Sequence, residues 1–469
     1  MGGFFGVVSW KDCQPDLFYG TDYHSHLGTK RAGMAVVLPG GFKRVVRDIE
    51  NAQFRSLFER DFESLRSWAG VGVISDTDSQ PLHVSSHLGE YVLVTVGAVR
   101  NREELIRGVF ASRRLHFSEL SDGEVTPTEV VASLINQEES LEAGVAHVQE
   151  AVEGSCSLLI LTKTGILAAR DKWGRTPVII GRKQGSYAVT METCAFPNLE
   201  YEFDKELGPG EIVFLTPEGH ERRRAPGPRL QICAFLWVYY GYPASNYEGI
   251  NVESVRYRCG AFLAGRNPLD VDFVAGIPDS GVGHGLGYAA QAGVPYRRPF
   301  VKYTPTWARS FMPQNKDARD LVARMKLIPI RDLIEGKKIL FCEDSIVRGT
   351  QLRDTVKRLF DVGAVEVHMR PACPPLAYNC KFLNFSVSKS EWELAARSAI
   401  RDLEGQTPDD IMAYTRWGTP EYMAVEDNIR RKLMLTTLKY QRMEDMVAAI
   451  GLPKDRLCTY CWDGRESSV

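Results

Sequence analysis

The sequence has no apolar run long enough to span a bilayer, no secretion signal, and no internal repeat or low-complexity tract. It has almost no net charge, because 57 Lys and Arg residues balance 59 Asp and Glu residues. These absences favour a soluble cytoplasmic protein with neither nucleic acid nor a membrane as partner. Ten cysteines without a secretion signal argue against a disulfide framework. Because 469 residues exceed one ordinary hydrophobic core, we expect two domains.

The stretch with the most candidate binding and catalytic residues covers residues 337–351. Residues 339–342 form an apolar run typical of a buried parallel strand, and Glu343 and Asp344 follow at its carboxyl end, where open α/β sheets bind ligands. Adjacent carboxylates can accept hydrogen bonds from a ribose diol or hold Mg²⁺ through its waters. The next loop offers backbone N–H groups and hydroxyls to a phosphate at a helix start. Its residues are Ser345, Ile346, Val347, Arg348, Gly349 and Thr350.

These residues resemble the phosphoribosylpyrophosphate (PRPP) signature of type I phosphoribosyltransferases. The version from Asp344 to Thr350 is similar to that of the glutamine PRPP amidotransferase family. The resemblance implies transfer of an amine to C1 of PRPP with release of pyrophosphate, as in the first step of purine nucleotide synthesis. It also implies Mg²⁺ held by Glu343 and Asp344, and a homo-oligomer, either a dimer or a tetramer.

Two further segments of the second half match the same family. The loop Pro278-Asp279-Ser280-Gly281 follows a strand predicted over 271–277 and precedes a helix predicted over 286–292 and a strand over 296–303. It resembles the family loop that contacts pyrophosphate. Lys302 and Arg309 fall in a segment similar to the loop that closes over PRPP. The resemblance therefore assigns Asp279, Ser280 and Gly281 to substrate binding, and Lys302, Arg309, Glu343 and Asp344 to catalysis.

The first half contains many short strand-like runs with helical patterns between them, including one over 59–68, which predicts a sheet-rich α+β layer structure. Its segments 170–177 and 208–211 resemble scaffold turns of the family's class II glutaminase domain, an αββα fold with an N-terminal nucleophile. The turn-rich segment 225–228 predicts a boundary between that domain, 1–227, and a type I phosphoribosyltransferase α/β domain, 228–469.

The residues with which that family hydrolyses glutamine are missing. The family's nucleophile is a Cys exposed by removal of the initiator Met, and this chain has Gly2 there. Ser75 replaces the Arg that binds the glutamine carboxylate, Val96 the Asn of the oxyanion hole, and Pro127 the Asp that binds the substrate amine. We therefore expect a glutaminase-like domain without glutaminase activity.

This loss leaves several hypotheses for the nitrogen source and for the role of the protein. The amine is then free ammonia, with a separate protein as one source, or the acceptor is a different nitrogen compound. A PRPP-binding regulator without turnover is an alternative from another class. A structural partner of an active amidotransferase is a third.

The cysteines form a second group of interest. A lone Cys-x-x-Cys in a cytosolic protein is consistent with zinc, redox chemistry or chance. Family members that contain an iron–sulfur cluster have cysteines at landmarks occupied here by Cys233, Cys380, Cys458 and Cys461. The resemblance thus implies a structural [4Fe–4S] site that ties C-terminal helices, predicted over 409–414 and 420–451, to the transferase domain. Zinc and no metal remain alternatives.

The remaining cysteines and two histidines lie outside these groups. We expect the other six cysteines to be buried small apolar residues. These are Cys13, Cys156, Cys194, Cys259, Cys342 and Cys373. We expect His24 and His26 on a solvated surface rather than in a metal site.

Overall fold

The structure is a computed structural model that describes residues 2–111, 120–121, 124–303, 327–383, 391–406, 408 and 410–465. The strands of the first half are β1 (Gly3–Ser9), β2 (Arg31–Leu38), β3 (Gly41–Asp48), β4 (Ala69–Ser75), β5 (Leu82–Ser86), β6 (Gly89–Val99), β7 (Leu120–Ser121), β8 (Glu124–Val125), β9 (Gly154–Leu161), β10 (Ile166–Ala169), β11 (Ile179–Lys183), β12 (Ser186–Thr190), β13 (Glu202–Glu206), β14 (Ile212–Thr216) and β15 (Gly219–Arg224). Its helices are α1 (Gln14–Asp22), α2 (Phe54–Phe58), α3 (Arg102–Ala111), α4 (Pro127–Ile135) and α5 (Leu141–Ala151).

Two antiparallel sheets pack face to face in this half, with strand orders β13-β11-β12-β1-β4-β2-β3 and β15-β14-β10-β9-β6-β5. Alternation along the strands explains the layers, because successive side chains point to opposite faces. Phe5 of β1 contacts α1, whereas the next residue, Gly6, faces Leu159 of the other sheet. Leu158 and Ile160 point the other way and pack with α4 and α5. The result is the αββα arrangement expected from the sequence.

The strands of the second half are β16 (Ile232–Cys233), β17 (Asn246–Tyr247), β18 (Ile250–Asn251), β19 (Phe273–Gly276), β20 (Phe300–Lys302), β21 (Leu327–Pro329), β22 (Lys338–Glu343), β23 (Glu366–Pro371), β24 (Thr437–Leu438) and β25 (Leu457–Cys458). The helices are α6 (Val252–Arg266), α7 (Val282–Ala292), α8 (Arg331–Ile334), α9 (Thr350–Asp361), α10 (Ala395–Glu404), α11 (Met412–Thr415), α12 (Pro420–Lys432), α13 (Met443–Ile450) and α14 (Tyr460–Asp463).

A parallel sheet in the order β19-β22-β23-β24 organises this half. Both of its faces are covered, which explains why residues 339–342 of β22 are all apolar. Leu340 and Cys342 lie in a core shared with the first half, and Ile339 and Phe341 lie in a second core with residues of α9, α10 and α12. The α/β class predicted for this half is confirmed.

Several predicted elements differ from the structure. The helix predicted over 420–451 is wrong, because α12 and α13 are separated by β24, with Met434 at a φ of 61° after α12. The predicted strand 296–303 is also interrupted: Tyr296 makes a single parallel bridge to Val274, and β20 pairs antiparallel with β21. The pattern over 59–68 forms a 3₁₀ helix, Glu59–Leu65.

The two halves meet through polar as well as apolar contacts. Buried Arg170 donates hydrogen bonds to the backbone oxygens of Gly174 and Thr176 and forms a 2.9 Å ion pair with Glu248 in the second half. Residues 225–231 connect β15 to β16 without helix or strand, and we propose the domain division there, at residue 227. Among the residues described, no helix has the length and apolarity needed to cross a membrane.

Candidate functional site

The loops after β19 and β22 form the first site. Because these strands are parallel neighbours, both loops lie at the same edge of the sheet. Gly281 packs directly on β22: a Cβ at this position would lie 2.2 Å from the carbonyl oxygen of Cys342. The Ser280 hydroxyl donates a 2.8 Å hydrogen bond to Glu343 Oε1. Two segments 63 residues apart are thereby joined into one site.

The acid pair is nearly enclosed in protein. Glu343 and Asp344 are 9% and 5% exposed. Burial first, and then the neighbouring charge of Asp344, raises the pKa of Glu343 well above its ordinary value. The Asp344 backbone N–H also donates to Glu343 Oε1, at 3.1 Å. A carboxyl pair with these properties favours a bound cation or hydroxyl donors, because either offsets the charge that burial disfavours.

The loop after the acid pair is held by contacts with the core. Ile346 is buried in the second core, and the Val347 carbonyl accepts a 2.7 Å hydrogen bond from the Ala395 backbone N–H. Arg348 forms a 2.8 Å ion pair with Glu393. Gly349 adopts a φ of 79°, which glycine reaches without strain, immediately before α9.

The start of α9 suits a phosphate. Ser345 Oγ donates to Asp344 Oδ2 at 2.6 Å, and no side chain caps the helix that begins at Thr350. The first N–H groups of an uncapped helix seek an acceptor, and its dipole favours an anion. Lys302 Nζ forms a 2.8 Å ion pair with Asp279 on the adjacent loop. Arg309, predicted to act with Lys302, lies outside the described residues.

The second site is a small pocket in the first half. It brings together the four positions at which the sequence departs from the family's glutaminase residues, Gly2, Ser75, Val96 and Pro127. The space open to a water-sized molecule is about 20 Å³, roughly the room that one water needs. In this structure the open space is smaller than a glutamine molecule.

A network of hydrogen-bonded polar side chains lies beside this pocket. Buried Asp78 accepts hydrogen bonds from the Thr77 hydroxyl at 2.5 Å, the Gln80 amide at 3.0 Å and the Thr128 backbone N–H at 3.1 Å. Gln80 in turn accepts a 2.7 Å bond from the Thr95 backbone N–H. Sequence reasoning missed this network, because its members come from three separate segments and match no motif.

The four cysteines predicted as cluster ligands converge. Cys233 and Cys458 are paired residues of the parallel strands β16 and β25. The thiols of Cys380 and Cys461 share a hydrogen bond, and electrostatic interactions link Cys233 to Cys458 and Cys380. Across the described part of the chain, however, no group of three or more His, Cys, Asp or Glu side chains forms a site for a metal ion. The structure therefore shows the thiols as neighbours and does not show a metal site.

The other cysteines and the two histidines have different environments. All six remaining cysteines are buried, as predicted, and burial raises the pKa of the Cys13 thiol, which disfavours a nucleophile there. The surface expectation for His24 is wrong, because its ring is fully buried between the Gly20 carbonyl and the Thr190 hydroxyl, and burial lowers its pKa to about 4. His26 is exposed, as expected, and forms a 3.0 Å contact with Glu192.

The fold and these sites define a class of protein with a glutaminase-like double sheet joined to a phosphoribosyltransferase sheet. Residues 68–198 match the family profile described as a glutamine amidotransferase domain. The chain is 30% identical over 342 residues to the amidophosphoribosyltransferase of Synechococcus elongatus, covering 72% of this chain and 69% of that protein. The chain belongs to the amidophosphoribosyltransferase family.

Two further comparisons cover nearly the full length. The amidophosphoribosyltransferase of Methanocaldococcus jannaschii is 28% identical over 489 residues, covering 99% of this chain and 97% of the relative. The solved structure of glutamine PRPP amidotransferase from Bacillus subtilis, complexed with ADP and GMP, superposes with a TM-score of 0.85 at 26% identity, covering 99% and 97% of the two chains. Both domains of the family are thus represented.

Proposed function

We propose that this protein transfers free ammonia, rather than the amide nitrogen of glutamine, to C1 of PRPP with release of pyrophosphate. The observation that carries the proposal is a contrast within one chain. The loops around Glu343 retain the family's PRPP signature and are packed against each other, whereas Gly2 stands in place of the family's nucleophile in a pocket with about 20 Å³ open to a water-sized molecule.

The transferase half supplies what this reaction requires. Asp279, Ser280 and Gly281 offer a small-residue loop to the pyrophosphate, and the segment from Ser345 to Thr350 offers N–H groups and hydroxyls to the ribose phosphate. Glu343 and Asp344 would accept hydrogen bonds from the ribose diol or hold Mg²⁺ through its waters. When bound, Mg²⁺ would neutralise the charge of the pyrophosphate leaving group.

Little proton transfer is needed before the chemical step. The nitrogen lone pair of neutral ammonia forms a bond to C1 while the bond from C1 to the pyrophosphate oxygen breaks, and the electron pair leaves with pyrophosphate. The new ammonium group then loses one proton to solvent. The protein contributes mainly by holding ribose and phosphate in line with the nucleophile. We assign Lys302 and Arg309 to the closure of this site.

The proposal that the first domain does not hydrolyse glutamine is supported by the geometry around Gly2. Gly2 has no side chain that could attack an amide, burial raises the pKa of the Cys156 thiol that lines the same pocket, and Val96 offers no side-chain donor to an oxyanion. Ser75 and Pro127 line the same small pocket and carry neither of the charged groups that bind glutamine in the family. A separate protein that releases ammonia is then one source of the nitrogen.

We further propose a structural [4Fe–4S] cluster on Cys233, Cys380, Cys458 and Cys461. The support is the convergence of four thiols from three distant segments, three of them buried and Cys458 partly buried. A single ion needs all ligands about 2.3 Å from one point, whereas a four-iron cluster accepts thiolates at its corners, farther apart. The cluster would tie the C-terminal segment to the transferase domain. We retain the homo-oligomer as part of the proposal.

The test is pyrophosphate release from PRPP and Mg²⁺ by anaerobically purified protein, with ammonia and glutamine supplied in parallel. Release with ammonia alone is the expected result, and Asp344→Asn should abolish it. Release with glutamine in ammonia-free buffer would overturn the proposal. Release with neither, together with PRPP binding that Asp344→Asn removes, would instead identify a PRPP sensor or another acceptor.

A further inference from the structure

The loop that contains Cys380 is held by an arginine of the first domain. Arg100, which follows β6, donates hydrogen bonds from its guanidinium to three backbone oxygens of this loop. The distances are 2.8 Å to Cys380, 3.0 Å to Lys381 and 3.3 Å to Leu383. Such a three-fold contact fixes the loop's position relative to β6, a strand of the glutaminase-like sheet.

A second arginine of the first domain reaches the same centre from the other side. The Arg175 carbonyl accepts a 3.2 Å hydrogen bond from the Cys233 backbone N–H. Its guanidinium carbon lies 3.7 Å from the centre of the Phe382 ring, two residues beyond Cys380. The guanidinium also interacts with the Cys458 thiol. Arg175 therefore touches segments that carry three of the four cysteines.

The environment of Arg175 is unusual for a cation. The residue is only 4% exposed, and its Nε–H has no hydrogen-bond partner among the described residues. In that part of the chain no carboxylate forms an ion pair with its guanidinium, which donates to the Gly154 carbonyl at 3.3 Å, while its backbone N–H donates to Asp171 Oδ1 at 3.1 Å. A guanidinium remains charged at all accessible pH values, so burying one without a counter-charge is costly. Thiolates bound to a metal cluster would supply that charge.

We propose that Arg175 is the charge and hydrogen-bond partner of the cysteine thiolates, and that Arg100 fixes the loop of Cys380 for it. The inference rests on the proposed cluster and deepens it. It gives the glutaminase-like domain a role that does not involve glutamine, namely completing the surroundings of the cluster in the neighbouring domain. Hydrogen bonds and charge next to the sulfurs set the stability and reduction potential of such a cluster.

The experiment compares full-length Arg175→Gln, Arg175→Lys and wild type, all purified anaerobically. Iron and acid-labile sulfide are measured first, then the rate of iron loss to a chelator and the reduction potential. We expect Arg175→Gln to lose iron about 10-fold faster or more. Its potential should be more negative, because a nearby cation stabilises the more negative reduced cluster. Arg175→Lys should restore part of both effects.

Arg182→Gln is the matched control, since this exposed arginine lies in the same domain and pairs with Asp204. It should match wild type in every readout. Wild-type protein without iron and sulfide would overturn the cluster and this inference with it. A wild-type cluster with unchanged iron loss and potential in Arg175→Gln would overturn the inference alone. A lower melting temperature with an unchanged potential would make Arg175 merely structural and also refute it.

Discussion

Restoring the missing nucleophile, by Gly2→Cys, should not restore glutaminase activity. A Cβ at position 2 would lie 2.3 Å from the Ile74 carbonyl oxygen and 3.4 Å from the Ser75 Cα. Both atoms belong to the backbone of β4, which pairs with β1, so neither can rotate away as a side chain does. Forcing extra volume into such a packed position costs about 1–3 kcal/mol.

The chemistry would remain impaired even if the strand adjusted. The absence of a side-chain oxyanion donor at Val96 costs about 10²–10³-fold in rate by analogy with other hydrolases. Glutamine must also enter a space of about 20 Å³ beside the Asp78 network. We therefore expect glutamate release by Gly2→Cys to be indistinguishable from background.

The assay is glutamate release from glutamine by full-length protein, after mass spectrometry has confirmed removal of the initiator Met. Gly2→Ala is the matched control, because it introduces the same Cβ without a thiol. Both variants should show a similar decrease in melting temperature. Glutamine hydrolysis by Gly2→Cys that Gly2→Ala lacks would refute the argument that the pocket has closed.

Three further outcomes are expected. Glu343→Gln should abolish pyrophosphate release yet raise the melting temperature at pH 7–8. The reason is that the raised pKa of Glu343 makes its buried carboxylate unfavourable above the unfolded pKa of about 4.3. The gain in melting temperature should therefore disappear towards pH 4, and an equal gain at pH 4 and pH 8 would contradict this. His24 has a lowered pKa of about 4, so the stability of the wild type should decrease by up to about 3 kcal/mol as pH falls from about 6.5 to 4. In thermal unfolding, His24→Gln should reduce this dependence on pH. The same dependence in both proteins would argue against a buried neutral His24. Arg170→Ala should lower the free energy of unfolding by about 3–5 kcal/mol in denaturant titrations, because it leaves Glu248 and buried carbonyls without their partner. A loss below about 1 kcal/mol would show that the ion pair is dispensable.

Local pattern was sufficient for the elements that carry the PRPP site. The apolar run before Glu343 predicted β22, and the helix start expected after the loop is the start of α9. Pattern failed where tertiary contacts interrupt a regular sequence. A helix was predicted over residues 420–451, but β24 pairs with β23 and divides them. A parallel strand of two residues has no signal of its own.

His24 shows that prediction from local sequence also fails for a single side chain. Polar, turn-rich surroundings suggested a solvated His24. The structure buries it because Thr190, from β12, supplies its second hydrogen-bond partner, and a satisfied imidazole can be neutral inside a core. No spacing in the sequence connects His24 with Thr190.

The sequence by itself determined the family, the two fold classes and the residues at the transferase and glutaminase positions. These depend on short motifs, whose residues are adjacent in the chain. Only the tertiary structure decided that Gly2, Ser75, Val96 and Pro127 share one small pocket. It alone placed Arg100 and Arg175 beside the cysteines. Volume and buried charge are properties of segments that meet in space, and a linear pattern carries no record of those distances.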